Sequence, residues 1–319
     1  MDYQAAEPQP SGDEDPKEAQ LRARRQFTYS MAALQAGITV DKIFVTHSLV
    51  TNALNAIDRT YQLAQNLSSS QGMTLVGPTG SGKTTLAKYF RASLPSDGMF
   101  DENTRTLYMR LQERPAIGRL ITAMLRAVRY PFSSVTEKNL YAKRDILIEA
   151  LRQRGTILLF LDEAHYLCDA RRSNATDKIG TAATDLLREL IDEVPIAVVL
   201  IGDESLDRLP EIDSHLASRT PIRMSLSNFD TKGTMWMGVV KTILSKDFGV
   251  GVSALMTGKE ILRLHAATGG NMRQLKWLVS EMVMVAVDAQ QAEMRIVDMS
   301  LAFDRLNGSD CLRSNPWSA

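Results

Sequence analysis

Two hydrophobic patterns divide the chain into an alternating part and a helical part. Between Met73 and Leu226, short apolar runs typical of buried strands alternate with amphipathic runs typical of helices. The predicted strands are Met73–Val76, Thr106–Leu111, Thr156–Leu161, Ile196–Ile201 and Ile222–Leu226, and the predicted helices are Thr84–Leu94, Ala116–Val128, Ala142–Arg152 and Thr181–Glu193. This alternation favours an α/β fold, with helices covering both faces of a parallel sheet.

After Asn228 the pattern contains no further strand. It predicts helices over Thr231–Lys246, Gly258–Ala267, Met272–Ala289 and Asp298–Leu306, and a methionine-rich stripe in the third of them is expected to be core. We predict an α/β domain over residues 26–228 with an N-terminal helical extension, and a small helical domain over residues 229–307. The polar, proline-rich residues 1–25 are expected to be disordered, and residues 308–319, with Trp317, to form a flexible tail.

A glycine-rich turn follows the first predicted strand and opens the first helix. The run Gly77-Pro78-Thr79-Gly80-Ser81-Gly82-Lys83-Thr84 has the spacing G-x-x-x-x-G-K-[ST], and Thr85 continues it. Glycines let the backbone wrap a phosphate chain, and the helix adds its positive dipole end. We expect these residues to bind ATP, with Lys83 on the β- and γ-phosphates and the Thr84 hydroxyl on Mg²⁺.

The third predicted strand ends in two carboxylates, Asp162 and Glu163. Acidic residues often end strands, but the upstream phosphate loop favours a functional role: Asp162 in the Mg²⁺ shell and Glu163 polarising the attacking water. Asp162-Glu163-Ala164-His165 also spells a helicase tetrapeptide, yet no second parallel sheet follows to supply another motor domain. His165 is therefore expected to make local hydrogen bonds.

Three further residues are candidates because of their order along the chain. Asp203 follows the fourth strand and would face the γ-phosphate. Arg219 precedes the last strand and could reach a neighbouring subunit's nucleotide, and Arg273 opens a helix of the second domain and could fold back onto the phosphates. Either arginine alone would be an ordinary surface residue; their position after a phosphate loop and an acidic strand is what favours the functional interpretation.

The charge balance restricts where DNA could bind. The 37 basic residues equal the 37 acidic ones, so DNA contact requires a local patch. Two loops qualify, and the candidates, which could equally be ordinary solvated side chains, are Arg110, Arg114, Arg119, Arg171, Arg172 and Lys178. The two cysteines form no disulfide framework, and no apolar run is long enough to span a membrane, so a reduced cytoplasm is the expected compartment.

Five features in this order resemble an AAA+ ATPase with a helical lid. They are the phosphate loop, the Asp-Glu strand, the polar strand end, the box Leu216-Ala217-Ser218-Arg219-Thr220-Pro221 and the helix start Gly269-Gly270-Asn271-Met272-Arg273. Within that superfamily the chain resembles the TnsC/TniB group of DNA-transposition regulators. The resemblance implies an AAA+ P-loop core with a five-stranded parallel sheet. It makes Arg219 an intersubunit finger and Arg273 a lid sensor.

The same resemblance implies partners. Such proteins assemble on double-stranded DNA as ATP-dependent helical or ring homo-oligomers, mark a target, and recruit a transposase with a target-selection protein. In a bacterial cell that activity would be cytoplasmic and nucleoid-associated.

Asp203 departs from this pattern, since the family typically has Asn, Thr or Ser there. A carboxylate would be repelled by a γ-phosphate unless it is protonated, points away or acts through a water. Either the sensing role has moved, for example to Ser205, or hydrolysis is slow; we expect weak ATPase activity that rises with DNA or a partner.

Two alternatives stay open. One is a replication initiator or helicase loader, although initiators commonly append a DNA-binding domain and few residues follow Leu306. The other is a nucleotide-gated scaffold that does not hydrolyse ATP.

Overall fold

Five parallel strands form the centre of the α/β part. In this computed structural model, which describes residues 29–67, 70–95, 105–113, 116–168, 179–231, 233–308 and 314–318, the strands are β1 (Met73–Val76), β2 (Thr106–Arg110), β3 (Leu158–Asp162), β4 (Ala197–Gly202) and β5 (Ile222–Ser225). Their order is β2-β3-β4-β1-β5, and all neighbours run parallel. The predicted α/β class and sheet are confirmed.

Helices cover both faces of this sheet because side chains alternate along each strand. The helices are α1 (Met31–Lys42), α2 (Ser48–Asn66), α3 (Lys83–Ser93), α4 (Ile117–Ala127), α5 (Leu140–Gln153), α6 (Ile179–Glu193), and the short α7 (Leu209–Ile212) and α8 (Ser214–Arg219). Phe160 packs with α2 and α3, whereas Leu159 and Leu161 pack with α4, α5 and α6. Burial of each such side chain contributes roughly 1.5–3 kcal/mol.

The helical region after β5 has its own core. Its helices are α9 (Thr234–Leu244), α10 (Gly258–Thr268), α11 (Met272–Asp288) and α12 (Ile296–Asn307). Met282, Val283 and Ala286 on α11 are completely buried. The methionine-rich stripe is therefore core, as predicted from the sequence.

The N-terminal extension divides between the two parts of the molecule. Helix α2 packs on the sheet with Ile57, while Val40 of α1 lies in the core of the helical region. Gly37 lets α1 approach α11 closely, since a Cβ there would lie 2.7 Å from the Met284 sulfur. The predicted α/β domain over residues 26–228 included the whole extension, whereas the structure packs α1 into the helical region.

The last described residues dock on the helical region. Trp317 is only 4% exposed and packs against Phe303, and its Nε1 donates to Glu260 Oε2 at 2.6 Å. Asn315 Nδ2 donates to the Ser300 carbonyl at 3.0 Å. The predicted flexible tail is thus wrong for residues 314–318, because a buried carboxylate binds the indole N–H.

The predicted disordered residues 1–25 and Cys311 lie outside the described residues. Cys168 is a buried free thiol. Among the described helices, none has the length and apolar character needed to cross a bilayer.

Candidate functional site

The sheet register brings the candidate phosphate-binding and acidic residues together at the carboxyl ends of the strands. Val76 pairs with Gly202 across β1 and β4, and Arg110 pairs with Asp162 across β2 and β3. The carboxyl ends of four strands therefore meet where the glycine-rich loop begins. Ligands of open α/β sheets bind at this edge.

The phosphate loop takes the conformation that its glycines permit. Gly80 and Gly82 have φ of 83° and 101°, in the left-handed region that side-chain-bearing residues rarely adopt. Helix α3 starts at Lys83, so its N-terminal amides face the loop. The Ser81 hydroxyl is buried and bonds to no described residue. A helix N-terminus beside this buried hydroxyl fits a phosphate chain.

Lys83 is held at the centre of this loop. Its Nζ donates to the carbonyls of Gly77 at 2.6 Å and Pro78 at 2.8 Å. Burial lowers the pKa of Lys83, and the nearby carboxylates, Asp162 first, act in the opposite direction. An ammonium has three N–H donors, so one remains for a phosphate oxygen.

Asp162 is buried and fixed by three donors. Its Oδ2 accepts from Thr84 Oγ1 at 2.6 Å and from the Tyr108 hydroxyl at 2.5 Å, while Oδ1 accepts from the Glu163 amide at 3.0 Å. Thr84 and Asp162, the predicted Mg²⁺ residues, are therefore in direct contact. A hydroxyl beside a carboxylate fits Mg²⁺, which takes few protein ligands and completes its shell with phosphates and water.

Sequence reasoning missed Tyr108. Burial raises the pKa of its hydroxyl, and the hydrogen bond to Asp162 adds to that effect. Tyr108 therefore stays protonated and donates. The only sequence signal was a polar-tipped aromatic within an apolar strand.

Glu163 has an unusual backbone and a strong partner. Its φ is 57°, in the left-handed region, which is uncommon for a residue with a side chain and typical of functional sites. Its Oε1 accepts from Arg110 Nη2 at 2.6 Å. Arg110, predicted as a DNA contact, is thus paired with the predicted water-activating residue.

Asp203 lines the pocket but bonds locally. Its Oδ1 accepts from the Ser205 amide at 2.9 Å and the Ser205 hydroxyl at 2.5 Å. Burial alone would raise the pKa of Asp203, but the Ser205 hydrogen bonds together with nearby positive charge outweigh it, and the pKa lies below its ordinary value. The carboxylate is therefore ionised rather than protonated, and the Ser205 hydroxyl is directed at it.

The helical region closes over the loop through the start of α11. The Arg273 amide donates to the Gly80 carbonyl at 3.0 Å, and Asn271 Nδ2 donates to the Thr79 carbonyl at 2.9 Å. The Arg273 side chain lines the pocket, together with Thr85, Asp41, Lys276 and Trp277. The structure thus brings Arg273 to the loop, and it adds Asn271, Lys276 and Asp41, which sequence reasoning missed.

Arg219 lies at the other end of the strands, near the amino ends of β1 and β5. Its carbonyl accepts from the Gly72 amide, just before β1 starts. Its guanidinium forms a two-point pair with Asp192, at 2.9 and 2.7 Å. Arg219 does not reach this chain's own pocket, so its role toward a neighbour stays a prediction.

Of the predicted DNA-binding residues, two are described. Arg110 and Arg119 line one groove of about 310 Å³ between the end of β2 and α4, and Arg126 joins them there. Arg114, Arg171, Arg172 and Lys178 lie outside the described residues.

Solved structures with a similar fold include origin-recognition proteins. The Aeropyrum pernix ORC1 protein in complex with DNA matches with a TM-score of 0.59 and 15% identity, over 83% of this chain and 66% of that chain. The Aeropyrum pernix ORC2 protein in its ADPNP-ADP complexes has a TM-score of 0.59 and 16% identity, over 83% and 71%. Drosophila ORC bound to DNA has a TM-score of 0.56 and 15% identity, over 96% and 71%. At such identities the match shows the fold, that of an AAA+ ATPase, and nothing finer.

No curated protein matches the chain significantly. The family model described as "Bacterial TniB protein" matches residues 38–226, from the end of α1 to the residue after β5. That is more than half of the 319 residues and includes the phosphate loop, Asp162, Glu163, Asp203 and Arg219. The chain belongs to the TniB family.

Proposed function

We propose that this chain is a Mg²⁺-dependent ATPase that assembles on double-stranded DNA as an ATP-dependent homo-oligomer and regulates transposition. It marks a target and recruits a transposase and a target-selection protein. One observation carries the ATPase assignment: Asp162 is bonded to Thr84, beside Lys83 in the glycine-rich loop, with Glu163 next in the chain. Membership of the TniB family supports the assignment to transposition.

Each residue of the pocket then has a chemical task. The loop amides and Lys83 hold the β- and γ-phosphates, and Arg273 binds them from the helical lid. Thr84 and Asp162 would hold Mg²⁺, which would supply positive charge to the phosphate oxygens. Glu163 orients the attacking water and accepts its proton.

The pair between Arg110 and Glu163 accounts for slow hydrolysis without DNA. Glu163 Oε1 accepts from Arg110 Nη2 at 2.6 Å, so the carboxylate is turned toward Arg110 and away from an attacking water. The Arg110 side chain is 68% exposed, and exposed ion pairs contribute only about 0–1 kcal/mol. DNA phosphates can therefore compete for Arg110 and release Glu163, which would make hydrolysis dependent on DNA.

The test of the ATPase is phosphate release by wild type, Lys83→Ala and Glu163→Gln, measured with and without linear duplex DNA. Lys83→Ala is expected to abolish nucleotide binding, hydrolysis and assembly on DNA. Glu163→Gln is expected to bind ATP and to lower hydrolysis by about 10²–10⁴-fold. Ser93→Ala, at an exposed residue at the end of the same helix, is the control. Equal rates for wild type and Glu163→Gln would favour the non-hydrolysing scaffold.

The DNA assignment needs its own variants. Arg110→Ala is expected to raise the basal rate and to reduce stimulation by DNA, and Arg119→Glu to weaken DNA binding. Arg154→Glu, in a groove at the amino ends of the strands, is the control for the charge change. Unchanged DNA affinity in both Arg110→Glu and Arg119→Glu would show that this groove does not contact DNA.

A second candidate, a replication loader or initiator, is favoured by the origin-recognition proteins among the structural neighbours. A cellular assay separates the two. Loss of transposition in Lys83→Ala cells with normal plasmid replication supports the transposition role, and the reverse supports a loader.

A further inference from the structure

His165 occupies a defined place between two strand ends. It lies in a short 3₁₀ turn, Ala164–Cys168, directly after β3. A Cβ on Gly202, the last residue of β4, would lie 3.0 Å from the His165 amide nitrogen. The missing side chain at Gly202 therefore lets the His165 backbone pack against the end of β4.

The imidazole lies between two carboxylates, at distances that make ion pairs when it is protonated. Nδ1 lies 3.4 Å from Glu163 Oε2, and Nε2 lies 4.0 Å from Asp203 Oδ2. Nδ1 is buried and makes no hydrogen bond to any described residue. The side chain is 19% exposed and lines the pocket that also contains Lys83 and Arg273.

A terminal phosphate bound in this pocket would meet two carboxylates beside His165. Glu163 and Asp203 repel a phosphate, and the Ser205 hydroxyl that could have served is already directed at Asp203. Arg110, the arginine of β2, is paired with Glu163. The imidazole carries at least one N–H in every protonation state present near neutral pH.

We propose that His165 Nε2–H donates a hydrogen bond to the terminal phosphate of the bound nucleotide and makes the site discriminate a triphosphate from a diphosphate. This inference rests on the proposed ATPase function and names a residue that sets its specificity. Asp203 then acts indirectly, by capping the neighbouring turn.

The experiment compares binding of a non-hydrolysable ATP analogue and of ADP, both with Mg²⁺, to the full chain. His165→Leu removes the donor with little change in volume, and His165→Gln keeps an N–H near the position of Nε2. His165→Leu is expected to lower the affinity for the ATP analogue by about tenfold or more, while the affinity for ADP stays within about twofold of wild type. His165→Gln is expected to recover most of the preference, and His215→Ala, at an exposed histidine, is the control.

The outcomes separate the inference from the proposed function. An unchanged analogue-to-ADP ratio in His165→Leu, or an equal loss in Leu and Gln variants, overturns the role of His165. A wild-type chain that binds neither nucleotide, or binds both without dependence on Lys83, overturns the proposed function and the inference with it. If His165→Leu fails to fold, as judged by thermal unfolding, His165→Ala and His165→Gln carry the comparison.

Discussion

At the scale of single residues, Asp162 shares one oxygen between two hydroxyls. Thr84 and Tyr108 both donate to Oδ2, at 2.6 and 2.5 Å. In the proposed mechanism Thr84 would turn to Mg²⁺, whereas the Tyr108 hydroxyl would go on donating to Asp162. Tyr108 is therefore a positioning residue that keeps the carboxylate in place when Thr84 leaves it.

We predict that Tyr108→Phe weakens Mg²⁺-dependent nucleotide binding, because Asp162 loses the donor that orients it. The Mg²⁺ concentration for half-maximal binding of a fluorescent ATP analogue should rise by about three- to tenfold, in line with one hydrogen bond to a charged group. Binding of the nucleotide in excess EDTA should change little. Tyr89→Phe, whose ring stacks on Phe44 outside the pocket, is the matched control. An unchanged Mg²⁺ midpoint would show that Thr84 alone orients Asp162.

At the scale of elements, the C-terminal segment is part of the helical region. Trp317 bridges α10 and α12, since it bonds Glu260 and packs on Phe303. Glu260 is 6% exposed and is also paired with Arg263 at 3.0 Å. A buried carboxylate that loses a donor is costly, so the segment stabilises the helices that it covers.

We predict that Trp317→Ala destabilises the helical region by about 3–5 kcal/mol, because it removes a buried ring and leaves Glu260 short of a donor. Trp317→Phe should cost less, since it keeps most of the apolar area. Denaturant unfolding followed by circular dichroism measures both. Ser318→Ala, at an exposed neighbour, should leave the midpoint unchanged. Equal midpoints for Trp317→Ala and wild type would mean that the docked segment contributes nothing.

The N-terminal helices connect the two parts of the molecule. Helix α1 packs on α11 of the lid, and α2 packs on the sheet. The start of α11 bonds the phosphate loop through Asn271 and Arg273. A movement of α11 caused by the nucleotide would therefore carry α1 with it.

At the scale of the whole molecule, the two proposed catalytic surfaces lie at opposite ends of the strands of one sheet. The pocket lies at the carboxyl ends of the strands, and Arg219 lies near the amino end of β1, paired with Asp192. Such a surface can complete a site only on another copy, in a head-to-tail arrangement.

A mixing experiment tests this arrangement. Arg219→Ala keeps an intact pocket, Glu163→Gln keeps an intact Arg219, and each alone should hydrolyse ATP at least about 10²-fold more slowly than wild type on DNA. An equal mixture should recover activity, up to about a quarter of the wild-type rate if subunits combine at random in a head-to-tail assembly. Asp192→Asn should not reduce activity, because it only releases the arginine. A mixture no more active than its components would exclude a site shared between subunits.

Much of the fold could be predicted because its signals are local. Strand and helix periodicity located all five strands and the longer helices from β1 onward, and the glycine spacing located the phosphate loop. The partition of α1 could not be predicted, since Gly37 contacts Met284, far along the chain. The docking of Trp317 was missed for the same reason: its partner Glu260 is 57 positions away.

The sequence by itself determined the fold class, the phosphate loop around Lys83 and the acidic end of the third strand, because each depends on neighbouring residues or on a short motif. Only the tertiary structure decided what those residues contact. It paired Glu163 with Arg110, placed Tyr108 on Asp162 and set His165 between Glu163 and Asp203. These contacts follow from strand register and from the packing of a turn against Gly202, which bring together residues that are distant along the chain.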